Sequence, residues 1–120
     1  MSSGFGPILE RLVTALPGAR GAIFVDWEGE AVDEHAHIDK TDLKILGAQW
    51  GIIYQQAMNA LSKLGLGALD ELVLRFATDQ FAIRRVTEEY IVLLALDKDA
   101  NLGRALHLLR RAGDELREEM

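Results

Sequence analysis

Tyr90 to Leu96 reads Tyr-Ile-Val-Leu-Leu-Ala-Leu, a run with no charged side chain and almost no polar alternation. A strand with one wet face alternates apolar and polar residues, so this run needs cover on both faces and belongs near the middle of a sheet. It therefore demands helices on both sides of that sheet.

The rest of the chain supplies the matching elements. Glu71 to Ala77, Phe81 to Val86 and Tyr90 to Leu96 are strand-like and separated only by Thr78-Asp79-Gln80 and Thr87-Glu88-Glu89, which favours an antiparallel meander. Upstream, Gly21 to Asp26 is β-branched and aromatic, Trp27-Glu28-Gly29-Glu30 reads as a tight turn, and a strand from Glu30 to about His35 completes a hairpin. That second strand is short and mostly charged, which suits a sheet edge. Pro7 fits a first helical turn, Ile8, Leu12 and Ala15/Leu16 recur at helical spacing, and Pro17-Gly18 stops the run. Asp39 is placed to cap a long helix, with Asp42 in a capping-box-like position, and Gly65 closes the helix after about Leu64. Asn101 caps a last helix with an inward stripe of Leu102, Ala105/Leu106, Leu109 and Leu116, flanked by Arg104, His107, Arg110, Arg111 and Arg117. The order is α-β-β-α-β-β-β-α in one domain, with no internal repeat and no linker that divides it.

At 120 residues and 49% hydrophobic content, such a chain buries roughly two-thirds of its unfolded surface and needs no staples. The absence of cysteine excludes disulfides, cysteine-ligated zinc, iron–sulfur clusters and thiol catalysis. A net charge of −6 opposes attraction to phosphate backbones and anionic lipid, so neither nucleic acid nor a membrane surface is an expected partner. Met1 to Pro7 carries no basic segment ahead of an apolar run, and the stretches near Ile45 to Ile53 and Ile91 to Leu96 fall far short of the roughly 20 residues that span a bilayer. A cytoplasmic protein without membrane insertion is expected.

The long helix is the most informative element. Leu43, Leu46, Trp50, Ile53, Tyr54, Ala57, Leu61 and Leu64 share a broad face, which alone suffices to cover a sheet. The opposite face carries Ile45, Ala48 and Ile52, bordered by Gln49, Gln55, Gln56 and Asn59, with only Lys44 and Lys63 charged near its ends. Depletion of charge around a small apolar stripe is the composition of an interface core. Gly47 and Gly51 lie at the margin between the faces, and each costs about 1 kcal/mol relative to Ala inside a helix. Their presence implies that something approaches the backbone closely, either a partner or a second layer of the same monomer.

Leu16-Pro17-Gly18-Ala19 leading into Gly21 to Asp26 and Gly29, the long second helix, and Asn101-Leu102-Gly103-Arg104 opening the last helix together resemble the Roadblock/LC7 family. The resemblance covers essentially the whole chain and is nearest the MglB-like branch, whose members regulate a Ras-like GTPase. It implies an α+β fold of three layers, α/β/α, in which a five-stranded antiparallel sheet carries the long helix on one face and the two terminal helices on the other. It also implies a homodimer joined through Asp39 to Leu64 and Glu71 to Ala77, whose paired long helices form a platform for a Ras-like small GTPase. Ile45, Gly47, Ala48, Gly51, Ile52, Gln55, Asn59, Leu72, Leu74, Arg75 and Phe76 would then form the dimer or GTPase interface. The terminal extensions of some bacterial relatives are not seen, so the chain reads as the bare module. Other Roadblock-type subunits are alternative partners, in which case the protein is an assembly subunit with no effect on nucleotide state.

Enzymatic chemistry finds little support. Ser2, Ser3 and Ser62 lack a nucleophile elbow, and no phosphate-binding glycine loop occurs, so no cofactor is expected and any nucleotide belongs to a partner. His35, His37 and Asp39 alternate and offer nitrogen and carboxylate ligands, but nothing nearby completes a closed metal site; a solvated edge strand is the simpler reading. Arg75, Arg84, Arg85, Arg104, Arg110, Arg111 and Arg117 are diluted by Asp114, Glu115, Glu118 and Glu119 and lack an aromatic stacking platform. A small-molecule sensor is a third reading, with Trp50, Tyr54, Met58 and Phe76 as lining candidates that serve equally well as plain core.

Overall fold

The computed structural model describes residues 4–120. Its elements are α1 (Phe5–Thr14), β1 (Ala19–Asp26), β2 (Ala31–Ala36), α2 (Lys40–Leu61), a 3₁₀ turn (Ser62–Leu64), β3 (Glu71–Arg75), β4 (Asp79–Arg85), β5 (Tyr90–Asp97) and α3 (Leu102–Glu118). The five strands form one antiparallel sheet in the order β2-β1-β5-β4-β3. β5, which contains the uniformly apolar run, is the middle strand, and six consecutive residues of it are buried.

Successive side chains of a strand point to opposite faces, and here both faces are covered. Ala22 and Phe24 of β1, Ala82 of β4, and Val92, Leu94 and Leu96 of β5 meet Leu9, Leu12 and Val13 of α1 and Ala105, Leu109 and Leu116 of α3. On the other face Ile23 and Val25, Phe81 and Ile83, and Ile91 and Leu93 pack with Leu43 and Tyr54 of α2. The expected layering, α2 on one side and both terminal helices on the other, is what the chain adopts.

Local chemistry sets the boundaries. Asp39 Oδ1 accepts from the backbone N–H of Thr41 at 2.8 Å and of Asp42 at 3.3 Å, capping α2. Gly65 ends the 3₁₀ turn in the left-handed region, φ 68°. Asn101 Oδ1 accepts from Arg104 N at 3.0 Å and starts α3. Gln80, almost fully buried, donates from Nε2 to the carbonyls of Asp97 and Ala100 at 3.1 Å, fastening the β5–α3 connection to β4. The end of α2 departs from expectation. Leu61 and Leu64 are exposed rather than laid on the sheet, because the helix gives way at Ser62 to a turn without buried residues.

Candidate partner-binding surface

α2 packs chiefly on β1, β2 and β5. Its inward face is Leu43, Gly47, Gly51 and Tyr54, all buried. Ile45 and Ile52 point the opposite way and are 56% and 50% exposed, although leaving large aliphatic side chains in water forgoes about 1.5–3 kcal/mol of burial each. Ala48 and Gln55 are half-buried beside them and Asn59 is exposed.

Gly47 and Gly51, read from the sequence as lying at the margin between the two faces and among the interface candidates, are buried in the internal packing. A Cβ on Gly47 would lie 3.1 Å from both Cδ1 and Cγ2 of Ile23 and 3.2 Å from Cγ1 of Val25. A Cβ on Gly51 would lie 3.4 Å from Cα of Gly29, in the β1–β2 turn. The close approach that these glycines permit is by this chain's own strand and hairpin turn. Gly29, at φ 88°, reaches Ala48 as well, so the turn forms a buttress under the middle of α2.

The flank of α2 nearer β3 is also apolar. Leu46, Trp50 and Met58 are partly buried against the core, and Ile53 and Ala57 are half-buried. The Trp50 ring lies 5.1 Å from Phe81 and 6.0 Å from Phe76, centroid to centroid, and its indole N–H is buried without an acceptor among the described residues. Phe76 is 53% exposed, and Leu72 and Leu74 are half-buried on the same side of β3. Together they form an apolar shelf from α2 to the edge of the sheet. Arg75 is exposed at that edge.

Two clamps fix this edge. Tyr54 donates from its hydroxyl to the carbonyl of Leu69, and Leu69 N–H donates to the Met58 sulfur at 3.4 Å, so α2 holds the loop that enters β3. Burial pushes the Tyr54 phenol above its ordinary pKa, an effect partly opposed by the charge of Arg85. On the other face Glu71 accepts from Arg110 Nε and Nη2 at 2.8 and 2.9 Å, with Arg84 3.6 Å away. That bidentate pair holds Arg110 above the usual guanidinium range.

The two sheet edges differ in kind. β2 carries Asp33, Glu34 and His35 and an irregular register against β1 between Phe24 and Val25, where Val32 is left over. A bulge and charge together blunt an edge. β3 is the regular Glu-Leu-Val-Leu-Arg, paired residue for residue with β4.

Other chemistry is sparse. His35 and His37 stack edge to face at 5.6 Å and Asp39 is engaged as the helix cap. Among the described residues no cluster of His, Cys, Asp or Glu is arranged to hold a metal ion. A groove of about 160 Å³ between α1 and α3 is bordered by the Arg11–Glu115 ion pair, and a cleft of about 70 Å³ lies beside Met58, Leu61 and Leu66. Both are smaller than the few hundred Å³ of a typical small-molecule site. Exposed residues that pattern reasoning did not single out are Trp27 at the β1–β2 turn and Leu66 after α2; a lone aromatic in a turn and a leucine between glycines leave no periodic signal.

The architecture is an α/β/α sandwich that leaves one face of α2 and the regular strand edge of β3 exposed, and comparison with known proteins identifies its family. Residues 8–95 match the family model described as the Roadblock/LC7 domain, and the chain belongs to that family. Its fold is similar to the Roadblock/LC7 domain from Streptomyces avermitilis, with a TM-score of 0.88 at 14% identity over 98% of this chain and 97% of that one. The gliding protein MglB from Thermus thermophilus superimposes with a TM-score of 0.87 at 18% identity, over 99% and 93% of the two chains. MglC from Myxococcus xanthus gives 0.68 at 25% identity, over 95% and 97%. Curated protein sequences offer no significant match. No helix among the described residues is long and apolar enough to cross a membrane.

Proposed function

We propose that two copies of this chain join through β3 and the neighbouring flank of α2, and that the paired helices present a platform to a Ras-like small GTPase, which the module regulates or scaffolds. The observation that carries the reading is the uncharged outer stripe of α2. Ile45 and Ile52 stay in water on a helix whose opposite face is fully used by its own core. The two surfaces divide the work. Leu72, Leu74, Phe76 and the Trp50 flank lie beside the strand edge and serve the second copy, while Ile45, Ala48, Ile52, Gln55 and Asn59 face away from the sheet and serve the GTPase.

The chain performs no bond-making chemistry of its own. Arg84 and Arg110 are engaged by Glu71, Arg85 by Asp70 and Arg20 by Asp79, so these arginines are not free to enter a partner's active site. No arginine of this chain is nominated as a finger, and any acceleration of GTP hydrolysis is assigned to reshaping of the GTPase's own catalytic loops.

The test is the double substitution Ile45→Arg/Ile52→Arg beside Leu74→Arg, followed by analytical ultracentrifugation and binding to a small GTPase encoded near this protein. The first variant is expected to remain dimeric and to lose GTPase affinity at least about tenfold; the second to become monomeric. Unchanged GTPase binding by the first overturns the platform. One solved relative is an MglB with a tetrameric arrangement, which favours a second reading as an assembly subunit. Binding without a change in nucleotide exchange or hydrolysis rate assigns that role.

A further inference from the structure

β2 is the outer strand at the end of the sheet opposite β3, and one face of it carries two of the chain's three histidines side by side. His35 lies opposite Ala22 of β1, whose side chain belongs to the layer packed with α1 and α3, so His35 points to that face. His37 follows two residues on. Its backbone N–H donates to the Arg20 carbonyl at 2.7 Å, which carries the pairing with β1 one residue past Ala36 and keeps the segment extended. The two rings therefore share a face, with centroids 5.6 Å apart. Two imidazoles on one tetrahedral ion, each bonded through nitrogen at about 2.0–2.1 Å, have ring centres about 5 Å apart. The pair already stands near that chelating separation, and turning the rings, which meet edge to face, aims a nitrogen of each at a common point. His35 is half-buried, His37 is exposed, and no strand lies beyond β2, so an ion reaches that point from solvent.

The acidic residues two positions away on either side are committed elsewhere. Asp33 Oδ1 accepts from the Glu34 N–H at 2.8 Å, and its Oδ2 lies 3.3 Å from where a Cβ on Gly6 of α1 would stand. Asp39 caps α2. No group of three or more His, Cys, Asp or Glu forms a closed metal cage among the described residues, so two imidazoles are the whole protein contribution to an open chelate. That donor set selects the ion. Magnesium and calcium require oxygen ligands, whereas imidazole suits zinc, nickel and copper(II). The net charge of −6 favours the approach of any of these cations. We infer that His35 and His37 together chelate one divalent ion of the zinc, nickel and copper class, with water in its remaining positions. The site lies at the far end of the sheet from β3 and stands independently of the two-copy reading.

His107, exposed on α3, serves as the internal control, a third imidazole outside the pair. Calorimetric titration with Zn²⁺ is expected to saturate at one ion per chain, with no uptake of Mg²⁺ over the same concentrations. His35→Ala and His37→Ala are each expected to weaken zinc binding at least about tenfold, and to the same level, because either change leaves a single imidazole; His107→Ala is expected to leave it unchanged. Binding by either strand variant equal to that of wild type overturns the chelate, as does an equal loss in His107→Ala or a wild-type chain that takes up zinc only at millimolar concentration. Copper(II) added below one equivalent gives a readout that needs no variant. Its paramagnetism is expected to broaden the ring resonances of His35 and His37 together, before those of His107. Broadening of all three at the same copper ratio shows three independent imidazoles and overturns the shared site.

Discussion

Gly47 and Gly51 look alike in the sequence, one helical turn apart, yet the structure gives them opposite responses to the same change. A methyl group added at Gly47 would press on Ile23 and Val25, both fully buried and held by the sheet, so Gly47→Ala is expected to destabilise by about 1–2 kcal/mol despite the better helix propensity. The same methyl at Gly51 would meet Gly29 at an ordinary contact distance, so Gly51→Ala is expected to be neutral or to stabilise by up to about 1 kcal/mol. Urea unfolding of the two variants checks the contrast. The sequence showed that something must come close to these glycines but not what. Helical periodicity places both at the edge of a face, and a residue without a side chain cannot indicate which way it leans. The neighbours that decide lie on β1 and in the turn after it, far upstream of the helix positions they touch.

At the scale of elements, α2 does more than cover the sheet, since Tyr54 and Met58 fix the loop that delivers β3. Tyr54→Phe is expected to cost about 1 kcal/mol through the lost hydrogen bond to Leu69. The cost should depend on pH in one direction. Burial raises the phenol's pKa in the folded state, so its contribution is complete below about pH 10 and is lost as pH rises through the folded value. Denaturant titrations of wild type and Tyr54→Phe should therefore converge above about pH 10 and stay parallel below it. Most element boundaries were readable from Asp39, Gly65, Asn101 and the apolar run of β5, because caps and periodicity are local. The exposure of Leu61 and Leu64 was not, because the pattern continues past Leu61 while the helix stops there.

For the whole molecule, what matters is the difference between the two ends of the sheet. β3 ends in a regular, nearly apolar strand, whereas β2 ends in carboxylates and an unmatched Val32. Deleting Val32 should restore a continuous register along β2 and open a second usable edge. Light scattering of that variant is expected to show species larger than two chains that grow with concentration, and a constant mass equal to wild type would count against the blunting role of the bulge. A particle with sticky strands at both ends adds units without limit, as fibres do. If two copies join as proposed, the irregularity at Val32 leaves each of them one usable edge: once the two regular edges have met, only blunt ones face the solvent, and growth terminates after a single step.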